Sequence, residues 1–440
     1  MSELKINYSS NEINNNSKFN AGVFIDIDGV VLKGGKPFDF SKKAITTLWE
    51  NEIPFVFVTN GTYCSKVLVD SLTSIFNLPF THDHCVVAPS PCKALFDYHD
   101  KRVLVCCQND SYDLISELGF SDFLTIEELV KIFPDLDFVD HEKRHWLLKN
   151  PLTEEQKKQQ EEFRPIEAIV LLGEPINWEC SLQVLLDILM TNGDPRKQFK
   201  YVPFPHLPII ACNKDLTFKG AAALPRFGHG AFLECLESLF MKVTKNELVY
   251  EYLMGKPYLI TYEYAAEQIQ KLSKNGQRIN KLYIIGDNPD VDVRGANMYK
   301  ENLLGENKSG RTSTKSSRRQ SVELQTNYKP VESILVCTGV YNPQSDMVFH
   351  LKNLFEKSLK ANSLEDSRND SSDGLTLTVP NIVKKESSSN LLDVETVELK
   401  EALSRKNSFL GYFDNRLNIP DVTVDNLLDA VNYIVSCSKN

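Results

Sequence analysis

Two aspartates near the start of the chain, Asp26 and Asp28, follow an apolar run and are separated by one residue. The run, residues 22–25, has the composition of a buried strand, and Gly29 lets the chain turn after it. Because side chains alternate along a strand, both carboxylates face one side, at the strand end where open α/β sheets bind ligands. Like charges so close require a cation, a shared proton or water. A solvated Asp-x-Asp-Gly turn is the alternative for this motif taken alone.

A second apolar run, residues 54–58, leads directly into Thr59, Asn60 and Gly61. In a parallel sheet the carboxyl ends of the strands share one edge, so we expect Thr59 to lie beside Asp26. Hydroxyl, amide and backbone N–H groups at such a position can bind an anion. A plain turn that caps the next helix is the alternative.

A third apolar run, residues 281–285, ends in acids that begin with Asp287. Together with Asp26 and Asp28 this gives three carboxylates, the hard oxygen ligands that Mg²⁺ prefers when it also bridges a phosphate. Lys256 adds a positive charge beside them. The set suits phosphoryl transfer, in which the protein positions and neutralises charge and an aspartate can act as the nucleophile.

The hydrophobic pattern alternates between strands and helices, which predicts a parallel sheet of the α/β class. From about Cys85 the pattern restarts, and we interpret this as a second α/β domain inserted into the first. The predicted helices are residues 40–51, a helix from 65, 111–119, 261–272 and 424–435, and the predicted strands are 54–58, 102–107, 166–173, 201–211, 281–285 and 333–339.

Polar, serine-rich segments divide the chain, because such composition cannot bury a core. The expected organisation is a disordered lead-in at 1–20, a core domain at 21–85, the inserted domain at 86–244, the rest of the core at 245–345 with a disordered loop at 307–328, a polar linker at 357–407 and a segment at 408–440 that returns to the core.

Composition restricts the classes of function. The net charge of −10 argues against a nucleic-acid partner, and the basic cluster from Arg311 to Arg319 lies in a serine-rich stretch. No apolar run reaches the ~18 residues of a membrane span, so we expect no integral membrane segment. Ten cysteines without paired C-x-x-C spacing indicate neither a zinc site nor a disulfide framework.

Four motifs, in this order, resemble those of the haloacid dehalogenase-like hydrolase superfamily. They are Asp-x-Asp-Gly-Val at 26–30, Thr-Asn-Gly at 59–61, Gly-Lys-Pro at 255–257 and Gly-Asp-Asn-Pro-x-x-Asp at 286–292. The insert between the second and third motifs resembles the class IIA subclass, which has a large α/β cap. Residues 224–232 and 338–341 are most similar to the haloacid dehalogenase-like hydrolase domain-containing protein 5 family, also called the cat eye syndrome critical region protein 5 family. The resemblance covers residues 21–300, 331–345 and the final helix.

The resemblance implies a Rossmann-like three-layer core with a parallel sheet, plus an inserted α/β cap domain. It also implies a Mg²⁺-dependent phosphatase that hydrolyses a small-molecule phosphate monoester through an aspartyl-phosphate. Asp26 would be the nucleophile and a metal ligand. Asp28 would protonate the leaving alcohol, activate water and offer its backbone carbonyl to the metal.

The remaining core motifs receive roles from the same resemblance. Thr59, helped by the amides of Asn60 and Gly61, would bind the phosphoryl oxygens. Lys256 would balance charge on the aspartyl-phosphate. Asp287 would complete the metal site, and Asp292 would support it from behind.

The inserted cap would supply substrate contacts through Asn213, Asp215, Arg226 and His229, and a homodimer would form through the cap. A basic surface loop with structural glycines is the alternative for the segment around Arg226. Asp290 stands where many relatives carry a small residue, so this extra acid either crowds the metal or faces solvent.

Rival interpretations remain open at this point. A phospho-acceptor module of receiver type also pairs acids, Thr and Lys at a sheet edge, and a non-catalytic scaffold could retain the same fold. The resemblance implies a link to glycerophospholipid metabolism and a mitochondrial location. The first twenty residues show no recognisable presequence, so a cytoplasmic location stays an alternative.

Overall fold

The computed structural model describes residues 20–108, 112–137, 141–218, 226–273, 276–309, 330–341 and 415–438. The predicted lead-in, apart from its last residue, and the predicted linker at 357–407 lie outside these residues. Contacts divide the chain into a unit of residues 1–341 and 419–440 and a unit of residues 342–418. Of the second unit, only a single turn of 3₁₀ helix at Asn415–Asn418 is described.

Most strands of the first unit are short apolar segments, as is typical of parallel sheets that are buried on both faces. The exceptions are two antiparallel pairs of two-residue strands, Leu32–Lys33 with Lys36–Pro37 and Thr217–Phe218 with Arg226–Phe227. The strands are β1 (Ala21–Ile25), β2 (Leu32–Lys33), β3 (Lys36–Pro37), β4 (Phe55–Val58), β5 (Cys85–Val86), β6 (Arg102–Cys106), β7 (Asp122–Thr125), β8 (Ala168–Leu171), β9 (Ile209–Cys212), β10 (Thr217–Phe218), β11 (Arg226–Phe227), β12 (Tyr252–Met254), β13 (Lys281–Gly286), β14 (Val331–Val336) and β15 (Val422–Val424).

The helices connect and cover these strands. They are α1 (Ser41–Glu50), α2 (Ser65–Phe76), α3 (Phe96–His99), α4 (Tyr112–Glu117), α5 (Ile126–Ile132), α6 (His141–Lys149), α7 (Glu154–Glu161), α8 (Trp178–Met190), α9 (His229–Thr244), α10 (Leu259–Leu272), α11 (Arg294–Ser309) and α12 (Leu427–Ser438).

Six parallel strands form the core sheet, in the order β15-β14-β13-β1-β4-β5. The chain builds this sheet outward from β1 in one direction and then from β13 in the other, which is the strand order of a Rossmann fold. The order reverses between β1 and β13, where Ala21 is paired with Lys281 and Ile25 with Ile285. A ligand site is therefore expected beyond the carboxyl ends of these two strands.

Helices cover both faces of the core sheet. Val23 and Ile25 point to one face, where they join a cluster with α1, α2 and α12, and Phe24 points to the other, where it packs with α10 and α11. The alternation follows from the two-residue period of a strand. The core therefore has three layers, as the sequence predicts.

Five parallel strands form the cap sheet, in the order β12-β9-β8-β6-β7. Its apolar faces lie in two clusters of their own. The inserted segment is thus an α/β unit with its own core, and the α/β class predicted from the sequence is confirmed.

Three predicted boundaries need correction. The strand Tyr252–Met254, which we expected to belong to the core, pairs with Ile210–Cys212 in the cap sheet, so the return to the core follows Met254. The strand predicted at 201–211 is confined to Ile209–Cys212. Prolines at 203, 205 and 208 lack the N–H that a central strand donates. The helix α11 runs to Ser309, into the loop predicted at 307–328, and residues 310–328 lie outside the description.

Within the described residues, none of the helices combines the length and apolar character needed to cross a membrane.

Candidate active site

Two aspartates meet at the point where the core sheet reverses its strand order. Asp26 directly follows β1 and Asp287 directly follows β13, and these strands are hydrogen-bonded neighbours. Both side chains are buried, with 8% and 4% of their surface exposed. The fold thus brings together two acids that are 261 positions apart in the chain.

A buried lysine pairs with the acids of this edge. The Nζ atom of Lys256 donates to Oδ1 of Asp26 at 2.5 Å and to Oδ1 of Asp292 at 2.7 Å. Only 4% of Lys256 is exposed. Gly255 precedes it with a φ of +89°, a conformation that glycine adopts without strain, and so turns the chain from the cap strand β12 toward the core.

Three buried carboxylates surround one positive charge. Oxygen atoms of Asp26, Asp287 and Asp292 lie within 4.8 Å of one another. Burial raises the pKa of Asp26, as do Asp292 and Asp287, while Lys256 opposes the rise. Burial and Asp292 raise the pKa of Asp287 to about 7, although the Val340 N–H lowers it. The cluster therefore has more negative charge than its lysine can balance, which is the condition for binding a cation.

Backbone N–H groups hold two of these acids in place. Asp287 accepts from the N–H of Val340 through Oδ2 at 2.5 Å, and its own carbonyl accepts from the N–H of Tyr341 at 2.9 Å. Oδ2 of Asp292 accepts from the N–H of Asn288 at 3.1 Å. The sequence predicts Asp292 as a supporting residue, and the structure places its carboxylate in the cluster itself.

The remaining residues of the first two motifs also lie at this edge. Thr59 is buried after β4, and its Oγ1 accepts from the N–H of Gly61 at 3.1 Å. Asp28 is exposed; desolvation raises its pKa and Lys256 opposes that rise. Of the two aspartates of the first motif, Asp26 is therefore buried and Asp28 is exposed.

Sequence reasoning missed Tyr63. Its ring lies over Gly61, where an added Cβ would come within 2.7 Å of the tyrosine hydroxyl oxygen. Desolvation raises its pKa to about 12, the Thr59 side chain lowers it, and Asp28 and Asp26 raise it further. The phenol is therefore a neutral neighbour of the acids. In the sequence, nothing distinguishes Tyr63, four positions after Thr59, from an ordinary residue near the start of a helix.

The cap reaches the core edge through the loop after β9. Nδ2 of Asn213 donates to the carbonyl of Asn60 at 3.1 Å, and Oδ2 of Asp215 accepts from Nδ2 of Asn60 at 2.9 Å. Burial raises the pKa of Asp215. The hydrogen bond from Asn60 and the positive charge of Lys256 act in the opposite direction and lower this pKa. These two predicted cap residues therefore do lie at the core motifs.

The other two predicted cap residues, His229 and Arg226, make no hydrogen bond or ion pair with the core motifs within the described residues. His229 is 1% exposed, and its Nδ1 donates to the carbonyl of Cys212 at 2.5 Å. Burial lowers its pKa to about 4, so the ring is neutral. It lies at the first position of α9, where its own hydrogen bond holds it against the carbonyl of Cys212. Arg226 lies exposed in the two-residue strand β11, paired with Phe218.

Asp290 is exposed. Its N–H donates to Oδ1 of Asn288 at 3.0 Å. Of the two interpretations of this extra acid, the one in which it faces solvent agrees with the structure.

Residues 23–121 match a family model described as haloacid dehalogenase-like hydrolase. A cardiolipin synthase (CMP-forming)/mitochondrial hydrolase fusion protein of Schizosaccharomyces pombe is 29% identical over 285 residues, which are 63% of this chain and 46% of that protein. A mitochondrial hydrolase of Saccharomyces cerevisiae is 24% identical over 302 residues, which are 62% of this chain and 83% of that protein.

A solved structure shares the fold. The p-nitrophenyl phosphatase from Archaeoglobus fulgidus superposes with a TM-score of 0.50 at 16% identity, over 95% of this chain and 100% of that one. The chain spans less than half of the fusion protein that it resembles, 46% of its length.

Proposed function

We propose that the chain is a haloacid dehalogenase-like hydrolase and acts as a Mg²⁺-dependent phosphatase on a small-molecule phosphate monoester. The match of residues 23–121 to the family model and the fold shared with a p-nitrophenyl phosphatase support this proposal. The observation that carries the proposal is the buried contact between Lys256 and Asp26, at 2.5 Å, within a cluster of three carboxylates. A lysine held there can neutralise a phosphoryl group on the aspartate. Burying charged groups costs free energy, so a buried cluster of this kind is more typical of a functional site than of an inert fold.

The donor set fits a hard divalent cation. Asp26 and Asp287 are buried, acidic and adjacent, and their raised pKa values reflect charge that a cation would relieve. Asp26, Asp287 and the backbone carbonyl of Asp28 would hold Mg²⁺, with Asp292 close behind. Bound there, Mg²⁺ would compensate charge and orient the phosphate oxygens.

The chain's own residues account for the two chemical steps. A carboxylate oxygen of Asp26 attacks phosphorus and the P–O bond to the alcohol breaks, while Asp28 gives the departing oxygen its proton. Asp28 then takes a proton from water, which attacks the aspartyl-phosphate and releases phosphate. Thr59 and the N–H groups of Asn60 and Gly61 hold the phosphoryl oxygens, and Lys256 balances the charge on Asp26.

The names of the relatives support a narrower proposal. One relative joins a hydrolase to a cardiolipin synthase, and both are named mitochondrial. We therefore place the substrate among phosphate monoesters of glycerophospholipid metabolism and the protein in mitochondria. Subcellular fractionation checks the location, and a cytosolic signal alone would contradict it.

The test measures phosphate release from a panel of monoesters that includes glycerol phosphates. We expect turnover that requires Mg²⁺ and is abolished by EDTA. Asp26→Asn removes the nucleophile and is expected to lower kcat by at least ~1000-fold. The matched control is Asp290→Asn, an exposed acid near the same edge, which is expected to retain activity.

Three outcomes would contradict the proposal. Full turnover in the Asp26→Asn protein would exclude the aspartyl-phosphate. A stable phosphoryl group on Asp26 without hydrolysis would indicate the phospho-acceptor module instead. Absence of turnover and of phosphorylation across the panel would favour the non-catalytic scaffold.

A further inference from the structure

The side-chain amide of Asn60 makes a two-point contact with the backbone of Lys256. Its Oδ1 accepts from the N–H of Lys256 at 2.7 Å, and its Nδ2 donates to the carbonyl of Lys256 at 3.0 Å. Residues 60 and 256 are 196 positions apart, so neither bond arises from local structure. The side-chain amide of Asn60 thus binds both the backbone N–H and the backbone carbonyl of Lys256, the residue that pairs with Asp26.

The same amide also binds the cap. Besides the Lys256 carbonyl, Nδ2 of Asn60 donates to Oδ2 of Asp215 at 2.9 Å. A second bond from the cap comes from Asn213, whose Nδ2 donates to the Asn60 carbonyl at 3.1 Å. Oδ1 of Asn213 accepts from the N–H of Asp215 at 2.9 Å, which links the two cap residues. Asn60 is therefore bonded to the cap loop at two points, through its side chain to Asp215 and through its carbonyl to Asn213.

Close packing leaves little freedom around these bonds. A Cβ added to Gly255 would lie 3.0 Å from Oδ1 of Asn60 and 3.1 Å from the Asn213 nitrogen. The N–H of Asn213 itself donates to the carbonyl of Met254 at 2.8 Å. A shift of the cap loop would therefore move the backbone that carries Lys256.

We propose that Asn60 is a positioning residue that couples the seating of the cap loop, through Asp215, to the placement of Lys256 beside Asp26. The family resemblance implies that Asn60 and Asp215 bind substrate. In the structure their side chains are hydrogen-bonded to each other, and the Asn60 side chain is also bonded to the backbone of Lys256. The inference rests on the proposed function, because its consequence for catalysis is the charge balance on a phosphorylated Asp26.

A double-mutant cycle tests the coupling in the full-length protein. Asn60→Ala removes all three side-chain bonds and is expected to lower kcat by about 100-fold, since a displacement of about 1 Å at a reacting group costs about that much. Asp215→Ala removes only the cap bond and is expected to lower kcat by about 10-fold, with KM little changed. Asp215→Asn keeps an oxygen for Asn60 and is expected to restore most of the activity.

The double variant decides between positioning and substrate binding. If Asp215 acts through Asn60, the double variant equals Asn60→Ala within about twofold, a non-additive result. If Asp215 binds substrate directly, its loss raises KM and multiplies with the loss from Asn60→Ala, which would overturn the inference. Thr62→Val is the matched control, because the Thr62 hydroxyl donates to the cap at the Leu172 carbonyl, 2.9 Å, without contacting Lys256. Its effect is expected to be small and to multiply with that of Asp215→Ala.

Amide hydrogen exchange gives a readout that does not depend on turnover. The Lys256 N–H is expected to lose protection in Asn60→Ala, to lose part of it in Asp215→Ala and to keep it in Thr62→Val. Unchanged protection in Asn60→Ala would overturn the inference. If the wild-type protein hydrolyses no monoester, the proposed function fails while this measurement still decides the coupling. If Asn60→Ala does not fold, the comparison of Asp215→Ala with Asp215→Asn carries the test.

Discussion

Gly339 lies directly against the carboxylate of Asp287. A Cβ built on Gly339 would overlap Oδ2 of Asp287, and the following N–H, that of Val340, donates to the same oxygen at 2.5 Å. Gly29, whose φ is +87°, approaches the same carboxylate, and a Cβ there would also collide with it. These two glycines leave the space that Asp287 occupies, so the turn after β14 helps to shape the site.

Gly339→Ala is expected to displace Asp287. Because a backbone-borne methyl cannot move away, we expect Mg²⁺ affinity to fall at least ~10-fold and kcat/KM to fall with it. Isothermal titration calorimetry with Mg²⁺ and phosphate release measure the two effects. Gly305→Ala is the control, because a Cβ at this position of α11 meets nothing within 4 Å. Alanine there is expected to stabilise the protein slightly. Equal Mg²⁺ affinity in both variants would contradict the role given to Gly339.

Mg²⁺ is expected to stabilise the fold more strongly at pH 8 than at pH 5. The pKa of Asp287 is raised from 3.8 to about 7, so between these values the folded protein binds a proton that the unfolded chain does not. Metal-free stability therefore falls as pH rises toward 7. Mg²⁺ replaces the proton and, at 100 times its Kd, adds about 2.7 kcal/mol, which raises Tm by about 5 °C.

Differential scanning fluorimetry with EDTA or Mg²⁺ at both pH values measures this shift. Asp287→Asn removes the charge and is expected to lose most of the Mg²⁺ response, while metal-free Asp287→Asn should be at least as stable as wild type at pH 8. A Tm gain from Mg²⁺ that is equal at both pH values would count against a metal site at Asp287.

His229 is expected to limit stability in acid. Burial lowers its pKa from 6.5 to about 4, so the unfolded chain binds a proton in this interval and the folded protein does not. The free energy of unfolding therefore falls as pH drops from about 6.5 to about 4, by about 3 kcal/mol from this group. His229→Asn keeps a donor for the Cys212 carbonyl and removes the titration.

Urea unfolding between pH 4.5 and 7 compares the variants. The difference in stability between His229→Asn and wild type should shift in favour of the variant as pH falls. His145→Asn, at an exposed position, is the control for replacing a histidine by asparagine. If the free energy of unfolding changes with pH in the same way for wild type and His229→Asn, the lowered pKa of His229 is contradicted.

The core site was predictable because its residues follow apolar runs whose strand identity is clear. Asp26 and Asp287 each end a fully buried strand, and parallel strands place their carboxyl ends at one edge. The pairing of β1 with β13, by contrast, depends on the order of the strands in the sheet, which the pattern of single segments does not contain. The motif resemblance implied a Rossmann-like parallel sheet but named no pairing of these two strands.

The cap was harder to predict for physical reasons. His229 and Arg226 lie three positions apart and look equally polar in the sequence, yet one starts a buried helix turn and the other lies in an exposed strand. Burial of the histidine depends on the Cys212 carbonyl, 17 positions earlier, and such a partner is set by tertiary packing. The role of the Asn60 side chain was hidden in the same way, because Lys256 and Asp215 are distant in the chain.

The last strand and helix of the core are expected to depend on Asp421. Its Oδ2 accepts from Nζ of Lys300 at 2.5 Å and from the N–H of Ser333 at 3.0 Å, next to the edge strand β15. The side chains of Lys300 and Asp421 are only 16% and 15% exposed. Breaking this part-buried pair leaves Lys300 without its carboxylate partner and the Ser333 N–H without its acceptor, so Asp421→Ala is expected to cost about 2 kcal/mol. Asp429→Ala, which removes an exposed acid from the first turn of α12, should cost about 0.5 kcal/mol.

Urea unfolding measures the loss of stability in both variants. Hydrogen exchange should show lost protection in residues 422–438 for Asp421→Ala alone. Equal losses in the two variants would mean that α12 is held by its apolar face and not by this ion pair.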